Sequence, residues 1–150
     1  MKNWAILTVA VVTTSLLLAI PLIGCQGEVG FTATTASLSE ATMAKGVHET
    51  TMEPIEKTTV FTPDAPEFFC SAKLSNAPSD TEIKAEWIYV QGEAEGVTDY
   101  IIDEFSVITE GTRYVGFSLE RPDPGWPRGE YKVVLYVDGK ESLSVPFTVE

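Results

Sequence analysis

From residue 57 to the end, apolar and polar side chains alternate with a period of two, and that pattern constrains the fold more than any other feature of the chain. Successive side chains of an extended strand point to opposite faces, so strict alternation marks strands with one face in a core. Phe68, Cys70, Ala72 and Leu74 alternate with Phe69, Ser71 and Lys73. Ile83, Ala85, Trp87 and Tyr89 form a second inward set, and Val115, Phe117 and Leu119 a third. Tyr131, Val133, Leu135 and Val137 form a fourth, and Leu143, Val145, Phe147 and Val149 a fifth. Weaker stretches at 57–62 and 99–108 bring the expected strands to seven. Turn residues punctuate them at Asn76–Asp80, Gln91-Gly92, Glu110-Gly111, Pro122–Gly125 and Asp138-Gly139. The expectation is an all-β domain over 57–150, a single seven-stranded antiparallel sandwich, large enough to hold a core without disulfide or metal.

Register in the last hairpin follows from the same phases. Asp138-Gly139 invites a two-residue turn setting Val137 opposite Lys140. Continued unbroken, that register sets inward Val133 against outward Ser144 and exposes the apolar face of the last strand. At about 1.5–3 kcal/mol per large apolar side chain, the loss exceeds any turn preference. The expectation is therefore a three-residue loop, Val137-Asp138-Gly139, with Gly139 in the left-handed position of a bulge. Tyr131 then faces Val145, and Val133 faces Leu143.

The front of the chain carries an address. Met1-Lys2-Asn3 is followed by an apolar run from Trp4 to Ile23, and all 22 acids lie beyond it. A short basic start and an apolar segment make a secretory signal. The stretch from Ala5 to Ile20 ends at Pro21, short of the about 20 residues a spanning helix needs. Leu22-Ile23-Gly24-Cys25 resembles the lipobox of bacterial lipoproteins. The resemblance implies removal of residues 1–24 and attachment of lipid, palmitate included, to Cys25. It also implies anchorage on the outer face of the cell membrane or another extracytoplasmic envelope membrane. Residues 25–56, rich in Thr, Gly and Glu without a sustained apolar period, read as the lipidated cysteine and a disordered tether. One short helical stretch, around Leu38–Lys45, is compatible with them.

A second resemblance lies at the other end. Gly125-Trp126-Pro127-Arg128-Gly129-Glu130-Tyr131 and the strand after it, closing in Pro146-Phe147-Thr148-Val149, resemble the last hairpin of prokaryotic immunoglobulin-like and fibronectin-like domains. Trp87 corresponds to the buried tryptophan of the third strand in immunoglobulin folds. The paired cysteines of antibody domains are absent, since Val133 occupies the region where a partner for Cys70 would lie. The resemblance implies extracytoplasmic recognition or spacing and carries no catalytic residue.

Charge and chemistry narrow the function. With 22 acids against 10 bases the net charge is −12, which argues against nucleic acid, because phosphate contacts need a basic surface. No nucleophile elbow, zinc motif or phosphate loop occurs, and the one histidine, His48, falls in the tether. No cofactor and no metal is expected, and acidic loops of the kind that hold calcium lack the alternating EF-hand pattern. Cys70 reads as a buried structural thiol. Ile88, Val90, Tyr114, Val134 and Tyr136 fall on the outward phase and form a candidate partner surface. Trp126, framed by Pro124 and Pro127, is either a packed corner or a contact at a loop tip. The expected function is a non-enzymatic recognition or scaffolding module, meeting a protein or cell-envelope partner beside its lipid-anchored membrane. The alternatives are an inhibitor of extracytoplasmic proteases, or a carbohydrate or cell-wall binder using Trp126 and Tyr136.

Overall fold

The computed structural model describes residues 34–150, in which seven strands and no helix occur. They are β1 (Ser37–Val47), β2 (Pro54–Lys57), β3 (Val60–Phe61), β4 (Glu67–Gly92), β5 (Tyr100–Glu120), β6 (Gly129–Val137) and β7 (Lys140–Val149). Their order in the sheet is β2-β1-β4-β6-β7-β3, with β5 beside β4. Two of the expected alternating stretches share β4: its first part pairs with β1 and its second with β6, while β5 runs along both. The turn residues expected to end strands at Asn76–Asp80 and Gly111 are instead bends within them. Asn76, Asp80 and Gly111 take φ of 54°, 63° and 78°, and the β4–β5 register shifts between Leu74, Ala77 and Thr81. Left-handed residues break the ladder locally, but the chain keeps its heading and passes from one part of the sheet to another.

The wholly antiparallel sandwich therefore needs correction. β3 and β7 run parallel, so the sheet is mixed, and its strands form one hydrogen-bonded sheet that curls into a half-barrel. The curl is closed by aromatic rings. Phe68, early in β4, meets Phe61 of β3 at 4.7 Å and Phe147 of β7 at 5.0 Å. All the inward sets read from alternation are buried except Leu143, which is half-buried.

The tether is also corrected. Residues 37–57 contain β1 and β2, and β1 pairs antiparallel with β4, setting Leu38 opposite Leu74 and Met43 opposite Cys70. Leu38–Lys45 is thus strand rather than helix. A bulge between Ser39 and Thr42, with Glu40 at φ 49°, changes the phase midway. Leu38 and Met43, an odd number of positions apart, then both point inward, and no single period of two spans the strand. The signal segment 1–24, Cys25 and the start of the tether lie outside the described residues.

The last hairpin keeps the required phase by a different device. Val137 does lie opposite Lys140, with Asp138 at φ 49° and Gly139 at φ 77°. Tyr136 faces Glu141, and then Ser142 is left over as a bulge. Beyond it Leu135 faces Leu143, Val133 faces Val145 and Tyr131 faces Phe147. The three-residue loop and the pairs drawn from it are wrong by two positions. The two-residue turn forms, and a bulge restores the phase that burial demands.

Candidate functional site

The residues singled out from outward phase do not form an exposed surface. Ile88 is 9% exposed and Val134 5%, while Val90, Tyr114 and Tyr136 are half-buried. Glu86 stands opposite Val134 and Lys84 opposite Tyr136, and these polar residues form a network across that face. The Tyr136 hydroxyl donates to Glu86 Oε2 at 2.8 Å. Lys84 Nζ pairs with Glu86, lies 3.6 Å from Glu104 Oε2, and sits 4.5 Å from the centre of the Tyr136 ring. The hydrogen bond from Lys84, then that from Tyr136, holds the Glu86 carboxyl below its ordinary value. The same contacts push Lys84 and Tyr136 up, Glu86 being the first cause for each. Tyr114 is tied to Glu40 Oε2 at 3.1 Å.

Trp126 is a packed corner. It is 3% exposed, its ring stacks on Phe68 at 4.1 Å and 21°, and its Nε1–H donates to the Ala65 carbonyl at 2.8 Å. Cys70 is fully buried, and desolvation pushes its thiol from 9.0 up to about 12, which removes the thiolate a nucleophile needs. Among the described residues no group of three or more His, Cys, Asp or Glu could hold a metal ion.

Among the described residues most of the exposed large apolar side chains lie on β5, the others being Ile55 on β2 and Val60 on β3. Tyr100, Ile101, Phe105, Val107 and Ile108 are all exposed, Tyr100 and Ile108 by about 60%. They crowd into the first part of a strand whose one partner among the described residues is β4, which leaves its other edge free there. The sequence here is apolar on both phases (Tyr-Ile-Ile, then Phe-Ser-Val-Ile), which read only as a weak strand. No sequence signal distinguishes an edge from a centre in such a run. Phe105 and Val107 stand opposite Ala85 and Ile83, so they share the core-facing side. Where β5 bends back, they border an open groove of about 570 Å³ whose other wall is Phe117 and Leu119. Asp103 and Glu120 also line it, and no cation does.

No family model and no curated protein matches this sequence. Among solved structures the chain is similar to an immunoglobulin-like protein of Pseudomonas aeruginosa, with a TM-score of 0.52 and 16% identity over 77% of this chain and 96% of that one. It also aligns with an alkylpurine DNA glycosylase of Pseudomonas fluorescens, TM-score 0.49 and 13% identity, covering 78% of this chain but 31% of the enzyme. A β-glucosidase of Chaetomella raphigera gives a TM-score of 0.43 and 15% identity, covering 77% of this chain and 18% of that enzyme. The two enzymes thus contain far more chain than the part aligned. The likeness to the first protein marks the fold as immunoglobulin-like, and fold alone assigns no activity.

Proposed function

We propose that the chain is a membrane-tethered extracytoplasmic lipoprotein whose immunoglobulin-like domain is a non-enzymatic recognition module acting through the β5 edge. The carrying observation is the row of exposed apolar side chains on a strand whose outer edge has no partner among the described residues, because apolar surface concentrated in one patch marks a contact site. The Leu22–Cys25 motif supports the tether. The carbohydrate reading has lost its platform, since Trp126 lies under Phe68 and the Tyr136 hydroxyl is engaged by Glu86.

Both halves of the proposal are open to test in intact cells. Cys25→Ser should abolish incorporation of labelled fatty acid; unchanged labelling defeats the tether. A photo-crosslinking residue at Tyr100 or Ile108 should give discrete adducts that the same group at Ile55, on the opposite edge of the sheet, does not. Equal or absent adducts at both edges would leave spacing, not recognition, as the domain's role.

A further inference from the structure

The other edges of this sheet are guarded and β5 is not. Exposed edge strands are templates for added strands, and proteins blunt them with brevity, lysine or proline. β2 is four residues long and carries Pro54 and Lys57, while β3 has two residues. Tyr100–Thr109 is long and contains neither lysine nor proline. Its face shared with Ala85 and Ile83 continues the core onto the surface through Phe105 and Val107. A strand laid beside it would pair its backbone with the free edge and set alternate side chains beside Phe105 and Val107, next to the groove walled by Phe117 and Leu119.

Charge selects the occupant. Asp103 and Glu120 line the groove without a cation. On the other face Glu104 has Lys84 at 3.6 Å, but that lysine is already paired with Glu86. A second copy of this chain would bring another Asp103 and Glu104 into the same ladder and no base from this segment. Like charges so placed oppose pairing, whereas lysine or arginine on the incoming strand would be attracted.

Building on the recognition role proposed above, we infer that the β5 edge binds an extended segment of another protein, alternating apolar with basic residues, as an added strand. Apolar residues of that segment lie beside Phe105 and Val107, and its alternate, basic residues fall on the opposite face beside Glu104, with Asp103 and Glu120 adding to the negative field along the edge.

The test uses the full-length protein in nonionic detergent at low ionic strength, with three blocked ten-residue probe peptides of alternating Val–Lys, Val–Glu and Ser–Lys. Hydrogen exchange read by mass spectrometry reports backbone pairing, which side-chain contact alone does not produce. The Val–Lys peptide should slow exchange across 100–109 and bind at least tenfold more tightly than Val–Glu by fluorescence anisotropy. Ser–Lys should give no protection there. Ile108→Lys and Phe105→Lys, both at exposed positions, should abolish the protection, and Asp103→Asn with Glu104→Gln should erase the preference for Val–Lys. Binding without protection of 100–109, or equal affinity for Val–Glu, overturns the inference while leaving crosslinks from Tyr100 and Ile108 to support recognition of another kind. Protection of 100–109 that rises with protein concentration in the absence of peptide would name a second copy as the occupant instead.

Discussion

Gly92 lies directly opposite Gly129 at the far end of the β4–β6 ladder, and neither position has room for a side chain. Their φ angles are 158° and 151°, and a Cβ on Gly129 would sit 2.3 Å from the Gln91 carbonyl oxygen and 2.8 Å from the Gly92 Cα. Both obstacles are backbone, so relief requires separating the strands. Gly129→Ala should cost about 1–3 kcal/mol in urea unfolding, the range of strained or overpacked sites. Gly46→Ala, where a Cβ meets nothing within 4 Å, should change stability little.

Trp126 closes one end of the core by stacking on Phe68. Trp126→Ala should destabilise by about 3–5 kcal/mol, as large aromatic truncations do. Trp126→Phe keeps a ring but leaves the Ala65 carbonyl without its donor, and should cost about 1–2 kcal/mol. Similar losses for both would mean that the hydrogen bond, not the stacking, holds the corner.

The Glu86 network has a pH signature. Its carboxyl is held below the ordinary 4.5, so the stabilisation is present above that value and fades as pH falls through the lower folded one. Glu86→Gln should lower stability by about 1 kcal/mol at neutral pH and match the parent in acid below the folded value. Melting temperatures of both proteins across the acid range measure the convergence.

Cys70 behaves oppositely. Its thiol rises from 9.0 to about 12 on folding, so the neutral form is favoured and stability falls as pH climbs between those values. The slope contributed is about 1.4 kcal/mol per pH unit, absent in Cys70→Ala. Alkylation by iodoacetamide at pH 8 should track global unfolding. Fast labelling of folded protein would place the thiol at a surface.

Ser142 makes the hairpin testable by deletion. Removing Ser142 lets Leu143 follow Glu141 in an unbroken ladder and still face Leu135, so the inward phase survives. That deletion should leave a folded protein within about 1 kcal/mol of the parent, the scale of surface changes. Deleting Ser144, beyond the bulge, turns Val145, Phe147 and Val149 outward unless the bulge moves, and should sharply lower the yield of folded protein. Circular dichroism melts separate the two outcomes.

Alternation in the sequence was enough to assign the inward faces of β4, β6, β7 and the second part of β5. Period two is a local property of extended chain, and a buried face must be apolar wherever it lies. The chain's own pattern also required that inward residues face each other across the last hairpin. Whether a longer loop or a bulge at Ser142 met that requirement was decided by the two-residue turn fitting the twist of β6 and β7. β1 was hidden because the bulge at Glu40 breaks its phase, and it is a strand because β4 offers it an edge. The candidate surface was hidden more deeply. Val134 and Ile88 are outward by phase yet buried, since cover depends on which side chains stand on the neighbouring strands. Phe105 and Val107 are inward by phase yet exposed, since among the described residues no strand lies beyond β5. Phase is written in one strand, but exposure is a property of its neighbours, and only tertiary pairing chooses them.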